Sequence, residues 1–508
     1  MAGGSLLAPS LANRQINYKG RTTIPVLLAC IAAASGGLIF GYDIGISGGV
    51  IAMDDFLIKF FPTVYVRKHA AHENNYCKYD NQGLQAFTSS LYLAALFASF
   101  GASYVTSNKG RRPTMLIGGL SFLVGAALNA AAENLAMLII GRMMLGVGVG
   151  FGNQSVPVYL SEMAPPKLRG GLNIMFQQAV NFGILCANLI NYGTANLQPW
   201  GWRLSLGLAA VPASLLTLAA IFLSDTPNSL IERGHLEQGK SVLQKIRGTP
   251  DVEAEFQDLV EASRVASTIK DPFLSIFRRK NRPQLTMAVL IPYFQQVTGI
   301  NVITFYAPVL FQSIGFHSNA SLYSAVITGL MLIIGTGISI FTVDKFGRRV
   351  LFLHGGILMF IGQVVTGLVL AFEFNGNEEL SRGFAVVILV VTCVYVVSFA
   401  WSWGPLGWLV PSEVFALETR SAGQCITVAV NMLFTFAVAQ SFLSMFCHFR
   451  FGIFLFFAGW VVVMTLFVHF FLPETKKVPI EEMQQEWSKH WYWRRFAQEQ
   501  ENQDDSKP

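Results

Sequence analysis

Residues 36–49 read GGLIFGYDIGISGG. Asp43 is the one charge in the run from Ile24 to Ile46, which is otherwise uncharged. That run is long enough to cross a bilayer, for which ~20 apolar residues suffice. Gly37, Gly41, Gly45 and Gly49 recur every fourth residue and form one ridge of a helix. Such a ridge lets a second helix pack closely. Asp43 lies two positions from Gly41 and Gly45, so it faces roughly the opposite way. A carboxylate toward lipid is costly, and intramembrane acids are usually functional. The expectation is that Asp43 faces a water-filled cavity inside a helix bundle. A structural hydrogen bond to a neighbouring helix is the alternative.

The whole chain supports a membrane reading. It has 508 residues, 52% hydrophobic and only 13% charged, where a soluble protein carries about 25%. Forty-one Phe and 46 Gly fit lipid as the main solvent. The net charge of +6 is modest and reads as loop bias, not as a nucleic-acid surface. Apolar runs near 24–47, 84–106, 114–132, 136–160, 172–191, 203–223, 285–313, 321–342, 350–372, 383–409, 421–443 and 450–472 predict twelve transmembrane helices. Residues 1–22 are polar, and the first apolar run is too long for a cleavable signal core.

The predicted organisation is an N-terminal tail (1–22), a six-helix half (23–223) carrying an extracellular lid (50–82), a helical linker (224–284), a second six-helix half (285–472) and a C-terminal tail (473–508). Basic loops at 108–112, 278–282 and 344–349 fall on one side if the helices alternate, and that side should be cytosolic. Both termini and the linker are then expected inside. The sequon at Asn319 would lie outside. Within the linker, Leu236, Val242, Leu243 and Ile246 have helical spacing and predict short helices bracing the halves. His490 to Arg495 (HWYWRR) reads as an interfacial anchor, and the acidic tail from Glu499 as disordered.

The halves repeat each other. Lys109-Gly110-Arg111-Arg112 follows the second run, and Lys345-Phe346-Gly347-Arg348-Arg349 follows the eighth. Ser161-Glu162 with Arg169 ends the fourth, and Ser412-Glu413 with Arg420 the tenth. Asp225-Thr226-Pro227 and Pro473-Glu474-Thr475 end the sixth and twelfth. A duplicated six-helix unit points to a transporter with its site between the halves. Arg111, Arg112, Glu162, Arg169, Arg348, Arg349, Glu413 and Arg420 are expected to form ion pairs between the halves that latch a cytosolic gate. Solvated loop charges are the bland alternative.

Several motifs carry a family resemblance from about residue 20 to 490. They are Phe40-Gly41-Tyr42-Asp43, Gly141-Arg142, Pro157 to Glu162 (PVYLSE), Gln295 to Asn301 (QQVTGIN), Phe305-Tyr306-Ala307-Pro308 and Gly404 to Trp408 (GPLGW). With them the chain resembles the sugar porters of the major facilitator superfamily, and within these the plant monosaccharide–proton symporters. The resemblance implies an all-α membrane protein of two pseudo-symmetric six-helix halves in the plasma membrane. It implies monosaccharide uptake driven by protons, with the proton as coupling ion and no cofactor or metal.

Arg142 sits in the apolar run Leu138 to Met144 and needs an anion there. The resemblance makes Asp43 and Arg142 the proton-coupling pair. It places Gln177, Gln295, Gln296, Asn301, Trp408 and Asn431 at the sugar site, which suits a neutral polyol, since amides both donate and accept and an indole meets the C–H face. Where the family's hexose carriers usually have Asn, this chain has Leu332. Pentose transport therefore stands beside hexose transport. The family's lid stapled to the second half implies a Cys77–Cys447 disulfide, while Cys30, Cys186, Cys393 and Cys425 read as core residues.

No Walker, metal-ligand or nucleophile motif supports an enzyme. The expected partners are a monosaccharide, H+ and the lipid bilayer, with no nucleic acid, and a monomer is expected to suffice. A passive uniporter and a non-transporting sugar sensor are the rival readings.

Overall fold

The computed structural model describes residues 23–70, 74–164, 169–267, 272–313, 318–373, 381–415, 419–476 and 483–497. Among these residues all regular structure is helical. Eleven helices are long and apolar enough to cross a membrane. They are α1 (Val26–Ala52), α2 (Gln82–Lys109), α3 (Arg111–Ala130), α4 (Leu135–Met163), α6 (Gly201–Phe222), α7 (Arg279–Ser313), α8 (Ala320–Phe346), α9 (Arg348–Glu373), α10 (Gly383–Val414), α11 (Ala422–Phe449) and α12 (Gly452–Phe471). The remaining expected span is α5 (Arg169–Thr194), whose 26 residues reach about 39 Å.

Apolarity alone does not mark α5. Its Gln177, Gln178, Asn181, Asn188 and Asn191 dilute its hydropathy, and they are directed into the bundle. Asn181 Nδ2 donates to the Leu332 carbonyl at 3.2 Å and to Thr336 Oγ1 at 2.7 Å, and Asn188 Nδ2 donates to the Ala325 carbonyl at 2.9 Å. In lipid such groups must be satisfied internally, so a polar helix is stable only against partner helices. Around the rim the surface is the inverse of a soluble protein's. Phe97, Phe341 and Phe372 expose 68%, 73% and 81% of their area, which only lipid can cover cheaply.

The glycine ridge of α1 packs on α5. A methyl group at Gly41 would collide with the Val180 carbonyl, and one at Gly45 with that of Ile184. The opposite neighbour, Gly48, abuts the Phe305 carbonyl of α7. Helix α1 is thus held between α5 of its own half and α7 of the other. Cys30 and Cys425 are buried as expected, but Cys186 is exposed on the bundle's outer surface and Cys393 partly so.

The repeat is visible in atomic detail at the ends of α2–α3 and α8–α9. Glu162 accepts from Arg111 Nη2 at 2.6 Å and from Thr226 Oγ1 at 2.5 Å. Glu413 accepts from Arg348 Nη2 at 2.7 Å and from Thr475 Oγ1 at 2.8 Å. Asp225 caps the Arg111 amide, as Glu474 caps those of Arg348 and Arg349. The pairing expected between the halves is not seen for Arg111, Glu162, Arg348 and Glu413: each of these described bonds lies within one half. Arg112 likewise donates to the Ala220 and Ile221 carbonyls, and Arg349 to that of His469. The physical reason is proximity, since each acid sits one helix end from the arginine of its own repeat. Arg420 begins the helix Arg420–Phe449. The Arg169 and Asn319 side chains, the tail 1–22, residues 268–271 and the tail from Glu499 lie outside the described residues.

Short helices Pro227–Glu232, Leu236–Arg247 and Glu253–Ser267 form the linker. Leu243 and Ile246 are buried while Leu236 is 44% exposed. Their described bonds reach the first half rather than bracing both: Glu232 pairs with Arg111, and Arg247 donates to the Met163 carbonyl. Near the C-terminus, Trp491 and Trp493 donate to the Phe470 and Phe471 carbonyls at the end of α12.

At the other face, helices Asp54–Phe60 and Pro62–His69 and the turn Asn75–Cys77 form the lid. Cys77 is disulfide-bonded to Cys447 of α11. Lys59 joins Glu133 at 2.6 Å, and Arg203 holds the same carboxylate at 2.5 Å. Hydrogen bonds from Lys59 and Arg203 hold the Glu133 carboxyl below its ordinary range.

Candidate sugar site and buried ion pair

Three helices deliver the ion pair. Asp43 of α1 is 1% exposed and Arg142 of α4 fully buried. Arg142 Nη1 donates to Asp43 Oδ1, and Nη2 lies 3.3 Å from Asp43 Oδ2. The guanidinium has further acceptors. Nη2 donates to Ser47 Oγ at 3.0 Å and to the Thr88 carbonyl at 3.4 Å, and Nε donates to the Phe87 carbonyl at 3.0 Å. The Phe87 ring lies 4.9 Å beneath the cation, and Phe56 of the lid packs on Phe87 at 5.2 Å. A buried charge pair is tolerable when its remaining donors are satisfied in this way.

Asp43, expected to face a water-filled cavity, does not line the central cavity, although its neighbours Phe40 and Ile44 do, and only 1% of it is exposed. Ser47, the α2 carbonyls and the Phe87 ring surround the guanidinium that holds the carboxylate. The glycine ridge does put Asp43 on the face away from α5, so the direction holds although the surroundings differ.

Gln177, Gln295, Gln296, Asn301, Leu332, Trp408 and Asn431 all line one central cavity between the halves. Their placement follows from breaks in the helices. Residues Arg282–Gln296 and Ile300–Ser313 are separate helical segments, with Gly299 at φ 85° between them, a conformation suited to glycine. The break sets Gln295, Gln296 and Asn301 around one opening. The Thr298 carbonyl it exposes is capped by Tyr395 Oη at 2.8 Å and Gln363 Nε2 at 3.2 Å. A second break at Ser402 separates Arg382–Trp401 from Trp403–Val414 and brings the Trp403 and Gly404 carbonyls at the start of the second segment to Gln295. Gln295 Nε2 donates to both, at 3.0 and 2.9 Å, and its Oε1 accepts from Asn431 Nδ2 at 2.9 Å. Asn301 Nδ2 donates to Gln296 Oε1. The amides therefore hold one another in place, a preorganised net that a polyol can join.

Sequence reasoning missed Phe40, Ile44, Asn181, Thr304, Phe399 and Thr435, which share the lining. Asn181 follows Gln177 by one helical turn, and Thr435 follows Asn431 by one, so the i+4 rule could have found both. Phe40 and Ile44 flank Asp43 on α1, and nothing in an apolar run distinguishes them from lipid-facing residues. The cavity measures about 50 Å³, room for roughly four waters. Polar bonds join the halves at both ends. Ser89 Oγ donates to Gln440 at 2.6 Å and Tyr79 Oη to Gln312 at 2.6 Å on the lid face, and Asn173 Nδ2 donates to Ser412 Oγ at 3.1 Å on the linker face.

Comparison with known proteins agrees with this geometry. Residues 29–487 match the family described as "Sugar (and other) transporter". The chain is 60% identical to sugar transport protein 7 of Arabidopsis thaliana, over 99% of each. It is 61% identical to sugar carrier protein A of Ricinus communis, covering all of this chain and 97% of that one. Among solved structures, the proton:xylose symporter XylE bound to 6-bromo-6-deoxy-D-glucose superposes with a TM-score of 0.78 at 26% identity, over 92% of this chain and 99% of that one. The inward-open XylE of E. coli gives 0.71 at 26% identity, over 91% and 99%. A bundle of two like halves around a cavity lined with amides, matched end to end by these relatives, belongs to the sugar transporter family of the major facilitator superfamily.

Proposed function

We propose that this protein takes up monosaccharides across the plasma membrane by alternating access, driven by co-transport of protons through Asp43. The observation that carries the reading is the position of the ion pair. Asp43 is bonded to Arg142, while Phe40 and Ile44, its neighbours on the same helix, form part of the sugar cavity. A proton on Asp43 removes the negative charge and weakens the charge-assisted bonds to α4. Arg142 then keeps the Phe87 and Thr88 carbonyls as acceptors, so neutralisation of its partner is tolerable. Helix α1 is released on one side while its glycine ridge still rides on α5. Its movement carries Phe40 and Ile44 toward or away from the sugar. Binding and protonation are thereby coupled through one rigid element, which is what linkage between two sites requires.

Sidedness follows from charge. The face bearing Arg111, Arg112, Arg348 and Arg349 is the cytosolic one by the positive-inside rule, with both termini on that side and the lid outside. The sugar is proposed to be a pentose in preference to glucose. Leu332 is 3% exposed in the cavity wall, and an apolar wall leaves a sugar hydroxyl without a partner. XylE, described as a proton:xylose symporter, is a structural neighbour of the same architecture.

The test is uptake of radiolabelled glucose, galactose, fructose, xylose and arabinose by yeast lacking its own hexose carriers, with and without a protonophore. Protonophore-sensitive accumulation, strongest for xylose or arabinose, is the expected result. Equilibration that ignores the protonophore would make the protein a uniporter. No uptake of any of the five would favour a sensor.

A further inference from the structure

A second, larger cavity lies under the lid. It measures about 320 Å³, within the lower range of small-molecule sites. Its walls come from four places: the end of α1, the lid helices, the 194–202 segment joining α5 to α6, and Leu322 at the start of α8. The cavity therefore bridges the lid and both halves.

Its chemistry is selective. Asp54 is committed to Lys68 at 2.7 Å, with His69 Nε2 at 3.5 Å. Among the described residues Asp55 forms no ion pair or side-chain hydrogen bond, and neither do the Asn196 and Gln198 amides. Three hydrogen-bonding groups from two separate segments thus border one cavity without protein partners. Trp202 adds an indole to the wall. Lys68 offsets Asp54, which leaves the single carboxylate of Asp55 as the one uncompensated charge of the lining. A carboxylate that accepts, amides that donate and accept, and an aromatic wall suit a neutral polyhydroxylated molecule.

We propose that this cavity is a second monosaccharide site, an outer station that holds sugar between the lid and the two halves before it reaches the central cavity. The proposal rests on the transport reading above. Asp55, Asn196 and Gln198 take the sugar hydroxyls in place of water. Because Leu322 moves with the second half and the lid is tied to α11 by the disulfide, the station is reshaped when the halves rock.

Equilibrium dialysis of radiolabelled xylose and glucose against the purified full chain in detergent tests this. The wild type is expected to bind two equivalents. A Gln295→Leu variant is expected to keep one, the outer. A double variant, Asp55→Ala with Gln198→Leu, is expected to keep the central site and weaken the outer one by at least about tenfold. Gln198 is exposed and Asp55 only half-buried, so an unchanged melting temperature serves as the folding control. One equivalent in the wild type, lost entirely in Gln295→Leu, would overturn the outer site and leave the transport reading standing. No sugar bound by the wild type would overturn both.

Discussion

On the proposed reading, Leu332 of the cavity wall puts a branched alkyl group where an amide would otherwise meet a sugar hydroxyl. Desolvating one unpaired hydroxyl costs about 1–3 kcal/mol, which corresponds to roughly tenfold or more in affinity. Leu332→Asn is therefore expected to raise glucose uptake relative to xylose by about tenfold. An unchanged ratio in competition assays would show that the wall does not set the sugar. At this scale the sequence was informative wherever a residue type was out of place. Asp43 and Arg142 stand out in apolar runs, and seven residues expected at the sugar site do meet at one cavity. Phe40, Ile44 and Phe399 did not stand out, because an apolar residue in an apolar helix carries no sign of whether it faces sugar or lipid.

At the scale of helices, packing makes its own forecast. Gly41 meets the Val180 carbonyl so closely that a methyl group cannot fit, whereas Gly101 of α2 has open space around it. Gly41→Ala is expected to cost about 1–3 kcal/mol through overpacking and to lower the melting temperature in detergent. Gly101→Ala is expected to be neutral or slightly stabilising, since alanine is the better helix former. Equal melting temperatures for the two variants would contradict the ridge. The four-residue glycine period was legible, as was the break at Thr298-Gly299. Helix α5, expected at 172–191, was the least apolar of the spans. Its amides lower its apolarity because they belong to the interface between halves, so hydropathy reads it as a weak span just where it is most functional. The lid latch at Glu133 has a defined pH sense. Its folded pKa is lowered by the bonds from Lys59 and Arg203, so the latch contributes above the unfolded value and fades only as pH falls through the folded one.

Across the whole molecule, the duplicated arginines and glutamates announced two like halves, and the structure repeats their bonds nearly atom for atom. Which half each charge would pair with was not legible, because both repeats offer the same signs at the same positions. For Arg111, Glu162, Arg348 and Glu413 packing decided it, and their described bonds stay within one half. Cross-half contacts among the described residues include neutral pairs, Asn173 to Ser412 on one face and Ser89 to Gln440 on the other, and one to a carboxylate, Ser444 to Asp80. Under the proposed alternating access, the neutral ones, being weaker than buried ion pairs, suit a contact that opens and closes in each cycle. The disulfide ties the lid of one half to α11 of the other. The lid's Phe56 rests on Phe87, which lies against Arg142. Cys77→Ser is expected to loosen that cover, raising proton leak in proteoliposomes without sugar and weakening sugar affinity. Leak and affinity equal to wild type would mean the lid does not guard the pair.

The central claim is that the proton enters on Asp43, and sugar-driven acidification of proteoliposomes tests it most directly. Wild type and Asp43→Asn would be reconstituted with a pH-sensitive dye inside, and exchange of labelled sugar measured in both to show that each is folded and binds. The account predicts that sugar acidifies the lumen through the wild type, and that Asp43→Asn exchanges sugar with no acidification. Acidification by Asp43→Asn equal to that of the wild type would contradict it.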